Sequence, residues 1–258
     1  MASYWDNKEA LSKQAIKHFN EMESKLHNET KKAVSWTRTY TDFSNTKANQ
    51  LAALGRHPGP VEVILVDMTS IDAMRQFRNG KTCVLNFASY KNPGGKFIDG
   101  SSAQEESLCH QSNLYNILMR CNEFYDWNRK NLNRGLYTNR ALYTHEVVDV
   151  AGGTFDILTC AAPNWGAAAR NQVAKENNSA ALRDRVGFAL ACMADARVNT
   201  LILGAFGCGV FKQDAREVAT YMRDWLERID VGSRIVFAIP DKNSKNYKAF
   251  ADVFADVL

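Results

Sequence analysis

Apolar positions recur with two different periods along the chain, and each period predicts a different element. From Asp6 to about His27 the apolar residues are spaced three or four apart, which predicts one amphipathic helix. After a proline- and glycine-rich break at residues 56–60, the run Val61–Val66 has the β-branched density of a strand. We therefore expect the central sheet to begin at this run.

Strand and helix patterns alternate through the remainder of the sequence. The later predicted strands are 82–87, 155–160, 200–204 and 234–239, and the predicted helices are 70–79, 103–122, 179–197, 214–229 and one that begins near 244. Such alternation predicts an α/β fold in which helices cover both faces of a sheet. Because no internal repeat or linker is visible, we expect one domain over residues 56–258, with an N-terminal helical extension, residues 1–55, packed on it.

Composition narrows the class of protein without identifying it. The chain has 258 residues, of which 45% are hydrophobic and 23% charged, enough to form a sizeable core. Its formal charge of +4 is too small to indicate nucleic-acid binding by itself. No run approaches the roughly 20 apolar residues of a membrane span, and no secretory signal is visible. We expect an intracellular, cytoplasmic protein that does not enter a membrane and is a monomer.

The six cysteines are far apart and form no Cys-x-x-Cys pair. Histidines do not accompany them at zinc-ligand spacing, so we expect reduced thiols, no metal site and no cofactor. His110 and Trp165 are two further candidates for the surroundings of a site. We expect His110 to have a packing role, and Trp165, which follows a predicted strand, is a candidate for a pocket wall.

Two glycine-rich loops follow predicted strands. The first glycine loop, residues 91–100, begins Lys-Asn-Pro-Gly-Gly-Lys-Phe, and the second glycine loop, residues 204–211, reads Gly-Ala-Phe-Gly-Cys-Gly-Val-Phe. Ligands of open α/β sheets bind outside the carboxyl ends of strands, and glycines there let backbone N–H groups approach a phosphate. Each loop alone is equally well explained as a tight turn; together they favour a nucleotide that carries a diphosphate.

A pair of carboxylates closes the first loop. Glu105 and Glu106 lie in the first turn of the helix that follows, where acidic residues are also common as caps. Because neighbours on a helix point about 100° apart, we expect the two carboxylates to have different roles. One would hold sugar hydroxyls while the other addresses a glycosidic oxygen.

The order of these features resembles a known family. The chain has Gly94, Gly95 and Lys96, then seven intervening residues, then Gln104, Glu105 and Glu106. This pattern is similar to the signature of microbial-type poly(ADP-ribose) glycohydrolases, a branch of the macrodomain superfamily. The likeness extends from about Val61 to residue 258. It implies a three-layer macrodomain-like fold, with a mixed central sheet flanked by helices.

The resemblance also implies roles for individual residues. Glu106 would be the catalytic acid/base and Glu105 would bind ribose hydroxyls. The ligand-binding positions that it implies are Asp67 near adenine, Asn86, Asn92, Gly94, Gly95, Lys96, Gln104, and, in the second loop, Gly207, Cys208, Gly209, Val210 and Phe211. Lys96 stands where the family usually has a third glycine, so any left-handed backbone at this position would be strained.

The implied reaction is hydrolysis at the distal ribose of poly(ADP-ribose), which releases ADP-ribose through an oxocarbenium-like transition state. The partner is therefore ADP-ribose, or poly(ADP-ribose) on a modified macromolecule. Two alternatives remain open: a reader that binds ADP-ribose without turnover, and a hydrolase of mono-ADP-ribose on protein or nucleic acid. A nucleotide-binding enzyme of another α/β family is disfavoured, because no phosphate-binding loop of the G-x-x-x-x-G-K-[ST] or G-x-G-x-x-G type follows the first strand.

Overall fold

The chain alternates between strands and helices in the computed structural model, which describes residues 4–41 and 61–258. The strands are β1 (Arg38–Tyr40), β2 (Glu62–Val66), β3 (Thr82–Phe87), β4 (Ala141–Val148), β5 (Thr154–Cys160), β6 (Thr200–Leu203) and β7 (Arg234–Ala238). The helices are α1 (Tyr4–Lys25), α2 (His27–Trp36), α3 (Ser70–Phe77), α4 (Gln104–His110), α5 (Leu114–Leu118), α6 (Asn122–Lys130), α7 (Trp165–Arg170), α8 (Lys175–Asp195), α9 (Ala215–Leu226) and α10 (Lys245–Val253).

The strands form one mixed seven-stranded sheet in the order β1-β4-β5-β3-β6-β7-β2. β5, β3, β6, β7 and β2 pair in parallel, whereas β4 pairs antiparallel with β5, and β1 pairs antiparallel with β4. The predicted mixed sheet flanked by helices is therefore confirmed. Its parallel strands bring their carboxyl ends, and the loops that follow them, to one edge.

Alternating side chains of the central strands enter two separate cores. Cys83 and Leu85 of β3 pack against α8, α9 and α10 on one face of the sheet, while Val84 packs against α3, α4 and α5 on the other. Both neighbours of Val84 and Val84 itself are at most 1% exposed. This is the period of two expected for a strand that is buried on both faces.

The N-terminal segment differs from the single predicted helix. α1 ends at Lys25, α2 follows, and β1 then pairs with β4, so the segment contributes an edge strand to the sheet. The predicted break at residues 56–60 and the boundary at residue 55 lie outside the described residues. The division into an extension and a domain thus stays a prediction.

The helix predicted over residues 103–122 is also wrong, because α4 ends at His110. Asn113, which is fully buried, accepts a hydrogen bond from the Val148 N–H (2.9 Å) and donates one to Thr30 Oγ1 (3.0 Å). These bonds link the segment between α4 and α5 to β4 and α2. β1, β4, α6 and α7 were not predicted. None of the described helices is long and apolar enough to cross a membrane.

Candidate active site

A cavity of about 370 Å³ opens at the carboxyl ends of β3, β5 and β6. Both glycine loops line it. The first side contributes Ala88, Ser89, Asn92, Gly95 and Lys96, the start of α4 contributes Gln104, Glu105 and Glu106, and the second loop contributes Gly207, Gly209, Val210 and Phe211. The sequence-predicted pair of loops and pair of carboxylates thus meet in one cleft.

A second cavity of about 280 Å³ lies beside the first, toward β7 and β2. The two share Phe87, Ala103, Gln104 and Ala205 as lining residues. The cleft therefore continues along the sheet edge and has space for an elongated ligand with two bulky ends.

Glu106 presents one carboxylate oxygen to the cavity. Its residue is only 5% exposed, and its Oε1 accepts a hydrogen bond from the backbone N–H of Lys96 at 2.9 Å. Among the described residues no group donates to Oε2. One oxygen is thus fixed by the first glycine loop, while the other is available to a ligand.

Glu105 is held more firmly and sits deeper. Its Oε2 accepts from the Ser89 N–H at 2.7 Å, its Oε1 accepts from Asn86 Nδ2 at 3.2 Å, and the residue is 3% exposed. Burial raises the pKa of Glu105 to about 8, against the lowering effect of these two donors, and the neighbouring charge of Glu106 adds to the rise. A pKa of about 8 favours the protonated form of the Glu105 carboxyl group at neutral pH.

Gly95 explains how two carboxylates that are adjacent on a helix reach the same place. It adopts φ +67°, and a Cβ added there would lie 2.5 Å from Glu106 Oε1 and 3.0 Å from Glu105 Oε2. Both side chains therefore converge on this glycine, contrary to the divergence expected from helix geometry alone. Gly94, at φ +63°, passes equally close to Tyr115, whose ring carbon would lie 2.5 Å from an added Cβ.

Lys96 occupies the position of the expected third glycine without backbone strain. It is absent from the described residues with positive φ, so its side chain costs nothing in backbone conformation. Its carbonyl accepts from the N–H groups of Asp99 and Ser101, both at 3.1 Å. The side chain is exposed at the mouth of the cavity.

The second glycine loop offers a row of unused backbone donors. Among the described residues, the N–H groups of Gly207, Gly209, Val210 and Phe211 have no hydrogen-bond acceptor. Gly207 has φ +77°, and an added Cβ there would lie 2.6 Å from Ala162 Cβ. Consecutive free N–H groups in such a loop form an anion-binding nest.

Cys208 differs from its neighbours in this loop because it does not line the cavity. Its N–H bonds to the Ala205 carbonyl at 3.1 Å, and its thiol donates to the Phe206 carbonyl at 3.8 Å. Burial raises the pKa of the Cys208 thiol to about 12. Cys208 thus shapes the turn, and its raised pKa favours the neutral thiol over the thiolate that a nucleophile requires.

An aromatic stack fixes Phe211. Its ring meets the Tyr137 ring edge to face at 6.0 Å, and Tyr137 stacks on Tyr90 at 4.1 Å. Tyr90 and Tyr137 are both buried. This support was not predicted, because Tyr137 lies far from either loop in sequence and carries no motif.

Two predicted ligand-binding residues lie behind or beside the cavity surface, and two others line it. Asn86 is fully buried and contacts Glu105, while Asp67 is exposed at the end of β2, outside both cavities, where it accepts from the Asp241 N–H at 2.6 Å. Gln104 lines the cavity, but its side chain binds β3: Oε1 accepts from the Phe87 N–H and Nε2 donates to the Leu85 carbonyl. Asn92 lines the cavity and is exposed.

Helix α1 packs directly against the first glycine loop. Ser12 donates a hydrogen bond to the Ile98 carbonyl at 2.5 Å, and Gly100, at φ +78°, comes so close to the Lys8 carbonyl that an added Cβ would collide with it. His18 Nε2 donates a hydrogen bond to the Ser112 carbonyl at 2.9 Å. Nothing in the pattern of the sequence predicts these contacts.

His110 and Trp165 can now be placed. His110 packs edge-on against Phe97 of the first loop at 4.6 Å, and burial, followed by the charge of His18, lowers its pKa. The predicted packing role is consistent with this position. Trp165 lines neither cavity. In the described part of the chain, no group of three or more His, Cys, Asp or Glu is arranged to hold a metal ion.

Comparisons with known proteins agree with this architecture. Residues 6–150 match the family model of the microbial-type poly(ADP-ribose) glycohydrolase (PARG) catalytic domain. This match begins within α1, so the N-terminal helices, which the sequence resemblance left out, are part of what the family shares. No curated protein sequence matches the chain significantly.

Solved structures of two bacterial enzymes are similar over most of their length. The PARG of Thermomonospora curvata is 27% identical, with a TM-score of 0.82 over 95% of this chain and 100% of that one. A PARG variant of Deinococcus radiodurans in complex with ADP-ribose is 30% identical, with a TM-score of 0.79 over 89% of this chain and 98% of that one. The Thermomonospora curvata enzyme bound to the inhibitor ADP-HPD gives a TM-score of 0.78 at 27% identity, covering 95% of this chain and 99% of that one. The chain belongs to the microbial-type poly(ADP-ribose) glycohydrolase family.

Proposed function

We propose that this protein is a poly(ADP-ribose) glycohydrolase that cleaves the glycosidic bond at the distal ribose and releases ADP-ribose, with Glu106 as the acid/base. The observation that carries the proposal is the state of Glu106. One oxygen is fixed by the Lys96 N–H, and the other faces a cavity that both glycine loops line. The related enzymes of known structure include complexes with ADP-ribose, which supports the substrate class.

The cleft suits ADP-ribose in one orientation. The free N–H groups of Gly209, Val210 and Phe211 would hold the diphosphate, since backbone donors bind phosphate oxygens without a compensating charge. The distal ribose would then lie between Phe211 and Glu105, and the adenosine would extend into the second cavity. A protonated Glu105 can donate a hydrogen bond to a ribose hydroxyl oxygen.

The reaction needs one proton donor near the glycosidic oxygen. In the substrate complex, where the bound ligand covers Glu106, its Oε2 carries a proton and gives it to that oxygen as the bond to C1″ breaks. The resulting carboxylate then takes a proton from the water that attacks C1″. The products are ADP-ribose and the free hydroxyl of the leaving group, and Glu106 is protonated again. The diphosphate, held on the second loop, offsets positive charge that develops at the ribose.

The test is a comparison of wild type with Glu106→Gln. The glutamine keeps an oxygen for the Lys96 N–H but cannot transfer a proton, so we expect ADP-ribose binding within a few-fold of wild type and a loss of turnover of about 10³-fold or more. Binding is measured by calorimetry and turnover by release of free ADP-ribose from poly(ADP-ribose). Glu123→Gln, on the exposed face of α6, is the matched control.

Each outcome distinguishes the alternatives. Binding without release by the wild type would make the protein a reader of ADP-ribose. Release only from mono-ADP-ribosylated protein or nucleic acid would replace the polymer by another leaving group. Equal turnover by wild type and Glu106→Gln would remove Glu106 from the mechanism. The same preparation analysed by sedimentation tests our expectation of a monomer.

A further inference from the structure

Lys96 brings the only cationic side chain to the 370 Å³ cavity among the described residues. Its ammonium has no hydrogen bond and no ion pair with any described residue, and the side chain is exposed. The other titratable groups that line this cavity are the carboxyl groups of Glu105 and Glu106. A lysine that is unpaired at the mouth of an otherwise acidic cavity is available to an anion from outside.

The backbone of Lys96 fixes where that ammonium can go. The N–H of Lys96 donates to Glu106 Oε1 at 2.9 Å, and Phe97, the next residue, is fully buried. The four-carbon side chain therefore starts beside the proposed acid and extends outward from the loop. The ammonium is therefore tethered to the residue whose N–H fixes Glu106, the proposed proton donor to the leaving group.

The diphosphate of the bound ADP-ribose has donors elsewhere. The free N–H groups of Gly209, Val210 and Phe211 lie on the second loop, whereas Lys96 belongs to the first. When the substrate is the polymer, the leaving group is itself an ADP-ribose unit with its own diphosphate. A second phosphate-bearing group is thus present in the complex only when the leaving group is a nucleotide.

We propose that the Lys96 ammonium binds a phosphate of the leaving ADP-ribose unit and thereby makes the site selective for polymer over an uncharged leaving group. This inference rests on the proposed function. It assigns to Lys96 a specificity role at the leaving-group side of the scissile bond. A mobile ammonium at an exposed position makes one charge-assisted contact and tolerates several phosphate positions.

The first test separates the two sides of the bond by binding. Glu106→Gln, which does not turn over, is compared with Glu106→Gln/Lys96→Met for binding of ADP-ribose and of its dimer, in which one unit is the leaving group. We expect Lys96→Met to lower the affinity for the dimer by about tenfold, which corresponds to the loss of one hydrogen bond to a charged group. The affinity for ADP-ribose should be unchanged. If Lys96→Met weakened binding of ADP-ribose and of the dimer equally, Lys96 would contact the diphosphate of the bound unit and the proposal would be overturned. Unchanged affinity for both ligands would also overturn it.

The second test uses turnover of poly(ADP-ribose). Lys96→Met should lower kcat/KM by about tenfold, and Lys96→Arg should retain most of it. The matched control is Lys91→Met, which removes the same charge from the same loop at an exposed position outside the cavity. Wild-type kcat/KM should fall with ionic strength more steeply than that of Lys96→Met. Equal sensitivity of Lys91→Met and Lys96→Met would reduce the effect to net charge and overturn the proposal.

Failure of this inference differs from failure of the proposed function. Suppose that neither the wild type nor any variant releases ADP-ribose, but the dimer binds more weakly to Glu106→Gln/Lys96→Met than to Glu106→Gln. The proposed function is then wrong, and the Lys96 contact stands. If wild type turns over polymer and Lys96→Met matches it in both tests, the function stands and the contact is wrong.

Discussion

Gly95 lies between the two carboxylates of the cleft, and its missing side chain determines how close the first loop comes to them. Gly95→Ala introduces a Cβ 2.5 Å from Glu106 Oε1 at a backbone φ of +67°. We expect a loss of kcat/KM of about 100-fold, because displacing a catalytic group by about 1 Å has that effect, together with destabilisation of about 1–3 kcal/mol. Activity on poly(ADP-ribose) and urea unfolding measure the two effects.

A matched control is available on α7. Gly166 has an ordinary helical backbone, and the nearest atoms to an added Cβ are 3.4 Å away, so Gly166→Ala should fold and turn over like wild type. A Gly95→Ala protein with wild-type kcat/KM would mean that the loop can retreat from the carboxylates without consequence.

The pKa of Glu105 links the cleft to the stability of the protein. Its pKa is about 8 in the folded protein against an ordinary value of 4.5, so between these limits the folded state holds a proton that the unfolded chain has released. Raising the pH through this window must therefore lower the free energy of unfolding, by on the order of 1.4 kcal/mol for each pKa unit of difference. Glu105→Gln has no such proton to lose.

The measurement is urea unfolding of wild type and Glu105→Gln at about pH 5 and about pH 8.5, on either side of most of the window. We expect Glu105→Gln to gain stability relative to wild type at the higher pH, by a few kcal/mol. The control, Glu123→Gln, should show the same difference from wild type at both pH values. A constant difference for Glu105→Gln as well would mean that Glu105 is ionised throughout.

At the scale of elements, α1 acts as a support for the first glycine loop. Gly100→Ala would push the loop away from the Lys8 carbonyl and strain a backbone at φ +78°. Since the Lys96 N–H bond to Glu106 belongs to this loop, kcat should fall, whereas ADP-ribose binding on the second loop should be kept. Hydrogen exchange of residues 97–101 should become faster.

Lys17→Ala provides the comparison, because Lys17 is exposed on the same helix. It should leave both kcat and the exchange of residues 97–101 as in wild type. If Gly100→Ala also leaves kcat and the exchange of residues 97–101 unchanged, the packing of α1 on the loop does not affect catalysis.

The elements that sequence predicted best are those with local signals. The two glycine loops, the Glu105 and Glu106 pair and the parallel strands β3, β6 and β7 follow from composition and periodicity over a few residues. They were located within one or two residues of their observed bounds. The order of elements then sufficed to bring the loops to one edge of the sheet.

The remaining elements depend on contacts between distant parts of the chain. The helix predicted through residue 122 stops because Asn113 bonds to β4 and α2, and no local pattern reports that. β1 has three residues, too few for a period of two to be recognised. Likewise, the burial that raises the pKa of Glu105 and the ring of Tyr137 behind Phe211 exist only in three dimensions.

For the whole molecule, the sheet joins strands of very different separation in sequence. β4 and β5 are consecutive and antiparallel, whereas β2 pairs with β7 across 172 residues at the Glu62 and Arg234 ion pair. Local pairing is favoured early because it closes a short loop. We expect Ile157→Val in β5 to slow refolding and Ile64→Val in β2 mainly to speed unfolding. Stopped-flow refolding and unfolding rates in urea test this, and a reversed pattern would place β2 in the folding nucleus.

The same strand order has a consequence for synthesis on the ribosome. β2 leaves the ribosome early, yet β7, its neighbour in the sheet, is translated after every other strand. Until then, β2, in which four of five residues are apolar, has no neighbouring strand in the sheet, and such an unpaired strand is a site for aggregation. We therefore expect the growing chain to be most prone to aggregation until β7 is made, and the second cavity, which β7 borders, to be completed last.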